Sequence, residues 1–435
     1  MKHLLLLLAV FVGWTTKAQD SFSLSDAVSY GVKNSSQSKL ASYDLDIAQK
    51  KVRETVSLGL PQLSAELNYQ NFIDIPVQVA PGAAFGIPDQ EFVELQFGTE
   101  HNASFKFTVS QLILDGSYII GLKAASSFVH LAELQKNYSE QQVKQNIRSA
   151  YYMTVLADEN IKSLKESYTQ LEKIFSESKA LFQNGFIDQS NLDQLEISLL
   201  NLENGLKNAE NQKETSMMLL KLHMGFPQEN DLVLTDGLDQ LIQTSTIGEF
   251  KSEDNLQYDL LNQQLVLQEL NVQRKQMQRM PSLFAFYNHQ QNAYRNDFSF
   301  FDADQSWYPT NLIGISLSIP VFDSGGQQSR INQAKVEVAK VEEQKILLDQ
   351  QLKLQYAQAS NNLINAENQM KLSKRKRELS AKILKEARVK FQEGMISSFD
   401  LNQTEQQFIQ ENGNYLQAVM MYLTAKNEMN QLLNQ

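Results

Sequence analysis

The 435-residue sequence has no cysteine and few residues that break regular structure. The absence of cysteine excludes disulfides, thiolate metal sites and a lipid-anchored cysteine. Glycine occurs 18 times and proline 8 times, which is sparse for a chain of this length. Long uninterrupted elements are therefore predicted, because glycine and proline are the residues that most often end helices and strands.

Long hydrophobic runs are also missing, except at the start of the chain. Lys2 and His3 precede five leucines, and the small residues Thr16 and Ala18 stand just before Gln19. This pattern predicts a secretory signal peptide over residues 1–18, too short to span a membrane as a helix. Nothing later approaches the roughly 20 apolar residues that a transmembrane helix needs. Membrane contact is thus expected through β-strands or the surface, in a periplasmic or outer-membrane protein.

Positive charge is scarce, since the formal net charge is −11. This excludes the concentrated basic surface expected of a nucleic-acid partner. The densest basic run, 371–377, falls in a helical pattern and is interpreted as a solvated helix face. The five histidines are scattered without ligand spacing, and the Asp323-Ser324-Gly325-Gly326 segment lacks the lysine of a phosphate-binding loop. Neither a catalytic site, a cofactor nor a metal site is predicted.

The chain contains an internal duplication. The segment LFQNGFIDQSNLDQLEISLLNLENGL, with Gly185, resembles KFQEGMISSFDLNQTEQQFIQENGNYL, with Gly394, 209 positions later. Strand-like runs ending at Asp115 and Asp323 lie 208 positions apart. Two landmarks at nearly one offset indicate two structural repeats. We predict the first repeat over 19–235 and the second over 236–435.

Within each repeat, helical periodicity dominates. Two long helices are predicted at 118–183 and 327–392, each roughly 100 Å at 1.5 Å per residue. Shorter helices are expected at 24–58, 189–224, 255–280 and 399–433. After each tip glycine, apolar residues recur every seven positions, which is typical of a coiled coil. These positions are Leu192, Leu199 and Leu206 in the first repeat and Leu401, Phe408, Tyr415, Tyr422 and Met429 in the second.

Four segments alternate like strands, at 62–71, 102–112, 282–290 and 311–319. Each is about as long as a tilted strand that crosses a bilayer. Proline opens the first strand of each repeat, at Pro61 and Pro281, and the connection 72–101 in the first repeat is longer than its counterpart 291–310. Four strands cannot close a barrel, and open strand edges are not tolerated in lipid. Strands from several copies are therefore expected to complete the sheet.

This order of elements resembles the TolC-type outer-membrane efflux protein family over essentially the whole mature chain. The resemblance implies a mainly α fold with a small β part, in which duplicated long coiled-coil hairpins accompany four transmembrane strands. It also implies a homotrimer whose strands form a 12-stranded β-barrel above a periplasmic α-helical tunnel. The expected partners are outer-membrane lipid, a periplasmic adaptor (membrane fusion) protein and an inner-membrane pump. The implied function is a passive exit duct for small toxic compounds.

The resemblance also assigns site residues. The adaptor is expected to bind the helical tips, which are Asn184, Gly185, Phe186, Glu393, Gly394 and Met395. A pore constriction is expected at Asp400, with Asn191 at the equivalent position of the first repeat and Gln403 one turn further. Three copies of Asp400 would form a carboxylate ring that attracts cations. Capping of the following helix is the alternative role for Asp400, and the two roles are compatible.

Other interpretations remain open at this point. The same architecture is compatible with a duct for type I protein secretion or for metal-ion efflux, since nothing in the chain decides the cargo. A secreted coiled-coil rod would explain the long helices but not the four membrane-length strands at matching points of the two repeats.

Overall fold

A computed structural model describes residues 20–243 and 248–434, so the predicted signal peptide lies outside the described residues. The described chain divides into two compact units. The helical unit combines residues 20–44, 134–243, 248–259 and 346–434. The sheet unit combines residues 45–133 and 260–345. Each unit draws on both halves of the sequence, so the repeat boundary at 235/236 stays a prediction.

Eight α-helices account for most of the described residues. They are α1 (Leu24–Asn34), α2 (Ser36–Ser57), α3 (Gly116–Gln183), α4 (Gln189–Met224), α5 (Leu238–Leu241), α6 (Leu256–Met277), α7 (Gly326–Gln392) and α8 (Ser398–Leu432). The two long predicted helices are confirmed as α3 and α7, within two residues at each end. Within the described ranges, no helix is both long and apolar enough to cross a membrane.

The predicted single helix at 24–58 is wrong, because Ser35 interrupts it. Ser35 has an extended backbone with ψ of 145°, and its hydroxyl accepts a hydrogen bond from the Ser38 amide at 3.2 Å. A serine side chain in this position caps the helix that follows. Two helices, α1 and α2, therefore replace the one predicted.

In the part of the chain that the structure describes, eight strands form three sheets. The strands are β1 (Asp20–Phe22), β2 (Gln62–Asn71), β3 (Val77–Pro81), β4 (Phe92–Gln96), β5 (His101–Leu114), β6 (Leu232–Leu234), β7 (Ser282–Arg295) and β8 (Tyr308–Ser318). The four predicted strands are confirmed as β2, β5, β7 and β8, which form one antiparallel sheet in the order β2-β5-β7-β8. The sequence did not predict the β3-β4 hairpin, the parallel β1-β6 pair or α5.

The four-stranded sheet has two chemically different faces. Directly opposed residues such as Leu63 and Val109, or Tyr287 and Ile313, share one face. That apolar face carries Leu63, Leu67, Phe105, Phe107, Val109, Tyr287, Ile313, Ile315 and Leu317. The opposite, polar face carries Ser64, Glu66, Asn68, Lys106, Thr108, Asn288, Gln290 and Ser316, together with Phe284 and Phe286. A period of two therefore places most of the apolar side chains on one face, which also carries His289 and Gln291, and most of the polar side chains on the other, which also carries Leu112 and Leu312.

Among its described residues, the helical unit has two hydrophobic cores. One core surrounds Tyr151, whose hydroxyl donates to the Phe22 carbonyl at 3.1 Å and accepts from the Asp236 amide at 3.2 Å. Burial raises the pKa of Tyr151 to about 12, so the phenol stays a neutral donor. The second core lies nearer the tips and includes Leu171, Leu195 and Leu401. The predicted seven-residue pattern of α8 is confirmed, since Leu401, Tyr415, Tyr422 and Met429 are buried.

Candidate functional site

The two long hairpins of the helical unit turn at equivalent glycines. Gly185 has φ of 76° and Gly394 has φ of 71°. At the C-terminal end of α3, the amides of Gly185 and Phe186 donate to the carbonyls of Phe182 and Leu181 at 2.9 and 3.0 Å. At the C-terminal end of α7, the amides of Gly394 and Met395 donate to the carbonyls of Phe391 and Lys390 at 2.9 and 2.8 Å. Both turns are Schellman caps, which need a left-handed residue and thus favour glycine.

The tips expose apolar side chains to solvent. The Phe186 side chain is 76% exposed and that of Met395 is 68% exposed. All six predicted tip residues are exposed. Between the two tips of the chain lies a groove of about 330 Å³, whose walls include Leu181, Phe186 and Ile396. Exposed apolar residues around a groove mark a surface that can bind another protein.

Asp400 caps α8 while its side chain remains exposed. Its amide donates to the Ser397 hydroxyl at 3.2 Å, and its carboxylate accepts from the Ser397 amide at 3.1 Å and hydroxyl at 2.8 Å. These reciprocal bonds form a capping box. The hydrogen bonds from Ser397, first from its hydroxyl and then from its backbone, lower the pKa of Asp400. The carboxylate is therefore ionised at neutral pH, as a cation-attracting ring requires.

The first repeat is capped differently at the equivalent place. Asp188 precedes α4, but its side chain makes no capping hydrogen bond. Asn191, predicted to lie at the constriction, is half-buried and accepts a hydrogen bond from the buried Ser398 hydroxyl at 2.6 Å. That bond joins α4 to α8 close to both tips. Gln403 is exposed on α8, and the constriction at these positions stays a prediction.

A buried ion pair above the tips was not predicted. The Arg388 guanidinium of α7 donates from one nitrogen to both Glu405 oxygens of α8, at 3.0 and 2.9 Å. Glu405 is 1% exposed. The sequence contained a usable signal, because Glu405 lies four residues after Leu401 and three before Phe408, on the coiled-coil seam. A charged residue at such a seam position is expected to have a buried partner.

The described residues contain no group of three or more histidine, aspartate or glutamate side chains that could hold a metal ion.

Residues 255–435 match the family model described as "Outer membrane efflux protein". This segment contains α6, β7, β8, α7 and α8, which together make the second strand pair and the second hairpin. The resemblance predicted from the sequence is thereby confirmed, with a model match that covers less than half of the chain.

Similarity to solved structures extends over both halves of the chain. One of them is a crystal structure of CusC, a protein that undergoes conformational changes as it folds and forms a transmembrane channel. It aligns with a TM-score of 0.73 at 14% identity, covering 94% of this chain and 91% of CusC. The MtrE outer membrane channel of Neisseria gonorrhoeae, in its open state, aligns with a TM-score of 0.72 at 13% identity, covering 94% of this chain and 88% of MtrE. The Campylobacter jejuni CmeC outer membrane channel aligns with a TM-score of 0.68 at 18% identity, covering 94% of this chain and 85% of CmeC.

The comparisons with solved structures establish the fold at these low identities. The predicted fold class, long helical hairpins combined with a small set of strands, is confirmed by them. No curated protein sequence matches the chain significantly. The cargo and the partners of this chain therefore have to be argued from its own residues.

Proposed function

We propose that the chain is the outer-membrane channel of a tripartite efflux system. In this role it is a passive homotrimeric duct that carries small toxic compounds to the exterior without a catalytic step. A periplasmic adaptor protein and an inner-membrane pump complete the system and supply the energy. The observation that carries the proposal is the four-stranded sheet with one mainly apolar and one mainly polar face, in a chain whose residues 255–435 match the outer membrane efflux protein model.

The two faces of the sheet fit a wall between lipid and water. Ile313, Ile315 and Leu317 on the apolar face are 81%, 74% and 57% exposed. Such a band is costly in water and stable against acyl chains. On the other face, Thr108 donates to Asn288 across two strands at 2.8 Å. A lining of serine, threonine, asparagine and charged side chains suits an aqueous pore.

The open edges of the sheet require further copies. β2 and β8 each have a neighbour on one side within the sheet, so each presents a row of unpaired backbone groups on the other side. In lipid, those groups have no water to bind, and only closure of the sheet satisfies them. Three copies supply the twelve strands of a closed barrel. Pairing of β8 with β2 of the next copy removes every edge.

The helical tips provide the periplasmic end of the proposed duct. The exposed Phe186 and Met395 offer apolar contacts to an adaptor. Asp400 stands one turn from the second tip and is ionised at neutral pH. We therefore propose the adaptor site at the tips and a ring of three Asp400 carboxylates at the entrance, where a constriction would concentrate their field.

The experiment that tests the proposal measures the native mass of the assembled protein and its conductance in a bilayer. The protein is extracted from outer-membrane fractions with mild detergent, and its native mass is compared with that of one 49.5 kDa chain. We expect a mass of about three chains, calculated for the mature sequence, and discrete conductance steps after reconstitution in a planar bilayer. A monomer, or protein recovered without detergent, would contradict the channel and favour the helical rod.

A further inference from the structure

One long helix of the helical unit carries a dense band of positive charge. Residues 371–390 of α7 include nine lysines and arginines and two glutamates, a net charge of +7 in a chain whose net charge is −11. The sequence predicts a solvated helix face for 371–377, and seven of the nine basic residues in the band are exposed. The other two, Arg377 and Arg388, are partly buried. Most of this charge is therefore accessible to a ligand.

The duplicated hairpin shows that the fold does not need this band. The equivalent residues of the first repeat, 209 positions earlier, are 162–181 of α3. They include four lysines and three glutamates, so their net charge is +1. Both segments form the same part of a long helix that approaches a tip glycine. Because the same hairpin is built with and without the band, its charge is better explained by association with a partner than by folding.

The band opens onto a groove between α3, α7 and α8. The groove has a volume of about 380 Å³. Its wall holds four cations of α7 and two hydroxyl groups of α3, which belong to Lys374, Arg377, Lys385, Arg388, Ser163 and Ser167. From the first to the last of them, the cations extend over 14 residues of helix, or roughly 21 Å at 1.5 Å per residue. A single small anion cannot touch all of them, so the groove fits an extended ligand with several negative groups.

Three of the four cations have no carboxylate partner within the described chain. Lys374 and Lys385 form no ion pair there, and the Arg377 guanidinium lies over the Tyr415 ring, 5.1 Å from its centre. The fourth cation, Arg388, has a buried Nε without a hydrogen-bond partner among the described residues. The groove therefore offers positive charge and a hydrogen-bond donor that the chain itself leaves unused.

Two carboxylates also line the groove, Glu166 of α3 and Glu378 of α7. Glu378 forms an ion pair at 3.4 Å with Arg375, which lies outside the groove wall. Arg388 is offset in the same way by its buried partner Glu405. With these pairs set aside, three cations remain against Glu166 alone. The groove is thus a positively charged site that attracts a negatively charged ligand.

The chemistry of the groove distinguishes a charged polymer from a folded protein. Protein-binding surfaces are marked by exposed aromatic and apolar side chains, which this chain presents at its tips with Phe186 and Met395. The wall of the groove instead offers mainly ammonium, guanidinium and hydroxyl groups, which donate hydrogen bonds to carboxylates. In the periplasm, the extended polymer that carries carboxylates at regular intervals is the peptide-bearing glycan of the cell wall.

We propose that this groove binds the carboxylate-bearing peptides of the cell-wall glycan. The inference rests on the proposed function, because that function places the helical unit in the periplasm, where this polymer lies. Lys374, Arg377 and Lys385 pair with successive carboxylates, and the α3 hydroxyls add hydrogen bonds. A homotrimer presents three such grooves to one continuous polymer, so a weak contact at each groove is sufficient for attachment.

Sedimentation with purified cell walls tests the proposal. Trimers in mild detergent are mixed with insoluble sacculi from a Gram-negative bacterium, and the bound fraction is measured after centrifugation at rising sacculus concentration. We expect Lys374→Glu/Lys385→Glu to raise the half-saturating concentration by about tenfold, while Lys374→Arg/Lys385→Arg keeps it within about twofold of the unmodified protein. Lys173→Glu/Lys179→Glu, which makes the same change in charge on α3 near the first tip, is the matched control and is expected to bind like the unmodified protein. The native mass of each variant shows that it remains a trimer.

Chemical modification of the wall tests which of its groups the groove binds. Amidation of the sacculus carboxylates removes their charge and leaves the polymer in place. We expect binding of the unmodified protein to amidated sacculi to fall to the level of Lys374→Glu/Lys385→Glu, and its binding to untreated sacculi to weaken as the salt concentration rises. Equal binding to amidated and untreated sacculi would overturn the pairing of these cations with carboxylates.

The remaining outcomes separate wall binding from the channel itself. A conducting trimer that does not sediment with sacculi would overturn the groove proposal and leave the channel proposal standing. Charge-reversed trimers that lose capture of the cognate adaptor and still bind sacculi would assign the groove to a protein partner and overturn the proposal. A monomeric native mass for the unmodified protein would contradict both proposals.

Discussion

Glu405 of α8 is buried against Arg388 of α7, and both of its carboxylate oxygens accept hydrogen bonds from that guanidinium. The pair links the two arms of the second hairpin close to its tip. The equivalent residues of the first repeat, Lys179 and Glu196, are both exposed. The duplicated hairpins therefore share a fold but differ at this position, and the arms of the first hairpin are joined instead by an ion pair between the more exposed Asp158 of α3 and Lys213 of α4.

Separation of the Arg388–Glu405 pair is expected to destabilise the second hairpin. Glu405→Leu leaves a largely buried guanidinium without its partner, which costs about 3 kcal/mol. Arg388→Met/Glu405→Leu replaces both charges with apolar groups and is expected to recover most of that loss. Thermal unfolding followed by circular dichroism measures the effect, with Lys179→Met as the exposed control. A double variant no more stable than Glu405→Leu would show that the pair contributes something other than charge compensation.

Substitutions at Ser397 and Asp400 separate the capping role of Asp400 from its proposed role in the pore. Asp400→Asn removes the charge, whereas Ser397→Ala removes the capping hydroxyl and retains the carboxylate. We expect Asp400→Asn to abolish block of the conductance by multivalent cations, and Ser397→Ala to preserve that block. Both variants should remain trimeric. Unchanged block in Asp400→Asn would remove Asp400 from the entrance.

The pH dependence of the same block follows from the lowered pKa of Asp400. A carboxyl group whose folded pKa lies below its ordinary value of 3.8 stays ionised as the pH falls from 7 toward 4. Cation block is therefore expected to persist over this range and to weaken only below pH 4. The contribution of the Asp400 capping bonds to folding stability depends on pH in the same direction. It is fully present above the ordinary pKa of the carboxyl group and is lost as the pH falls through the lowered pKa of Asp400. Loss of block near pH 6 would point to a different titrating group.

On the polar face of the sheet, Gly314 lies beneath the Phe286 ring. A Cβ atom at position 314 would stand 2.6 Å from the Phe286 ring. Gly314→Val is therefore expected to displace the ring and to lower the temperature at which the assembled protein dissociates. Gly413→Ala in α8 is the control, because its Cβ meets nothing within 4 Å and helix propensity favours alanine by about 1 kcal/mol. Equal dissociation temperatures for Gly314→Val and the unmodified protein would show that Phe286 has another position in the assembly.

Periodicity predicted most of the regular structure because the elements are long. The bounds of α4 and β2 agree with the sequence expectation at both ends, and those of α7 differ by one residue. The break at Ser35 was missed because serine continues a helical pattern without an obvious stop signal. β1 and β6 are three residues each, too short to show alternation. The β3-β4 hairpin lies in the long connection 72–101, and its strands of five residues each are too short to show a clear alternation.

The candidate site was predicted unevenly. Gly185 and Gly394 were identifiable because a left-handed turn selects glycine, and the duplication presents the signal twice. Capping of α8 was one of the two roles predicted for Asp400, and its reciprocal hydrogen bonds with Ser397 establish that role. The contact between Asn191 and Ser398 joins residues 207 positions apart, so no local pattern announces it. The repeat offset pairs Asn191 with Asp400 and gives no information on which residues touch.

The tip glycines offer a test of the proposed adaptor site that does not change its chemistry. Gly394→Ala places a side chain where φ is 71°, which costs about 1–2 kcal/mol for a residue other than glycine or asparagine. Space is not the limitation, since an added Cβ would meet nothing within 4 Å. We expect Gly394→Ala to reorient the adjoining Met395 and weaken capture of the cognate adaptor, while Gly394→Asn, which tolerates this conformation, retains capture. Affinity measured on immobilised trimers separates these outcomes. Equal binding by both variants would place the adaptor contact away from the second tip, because the turn would then be free to change shape without consequence for the partner.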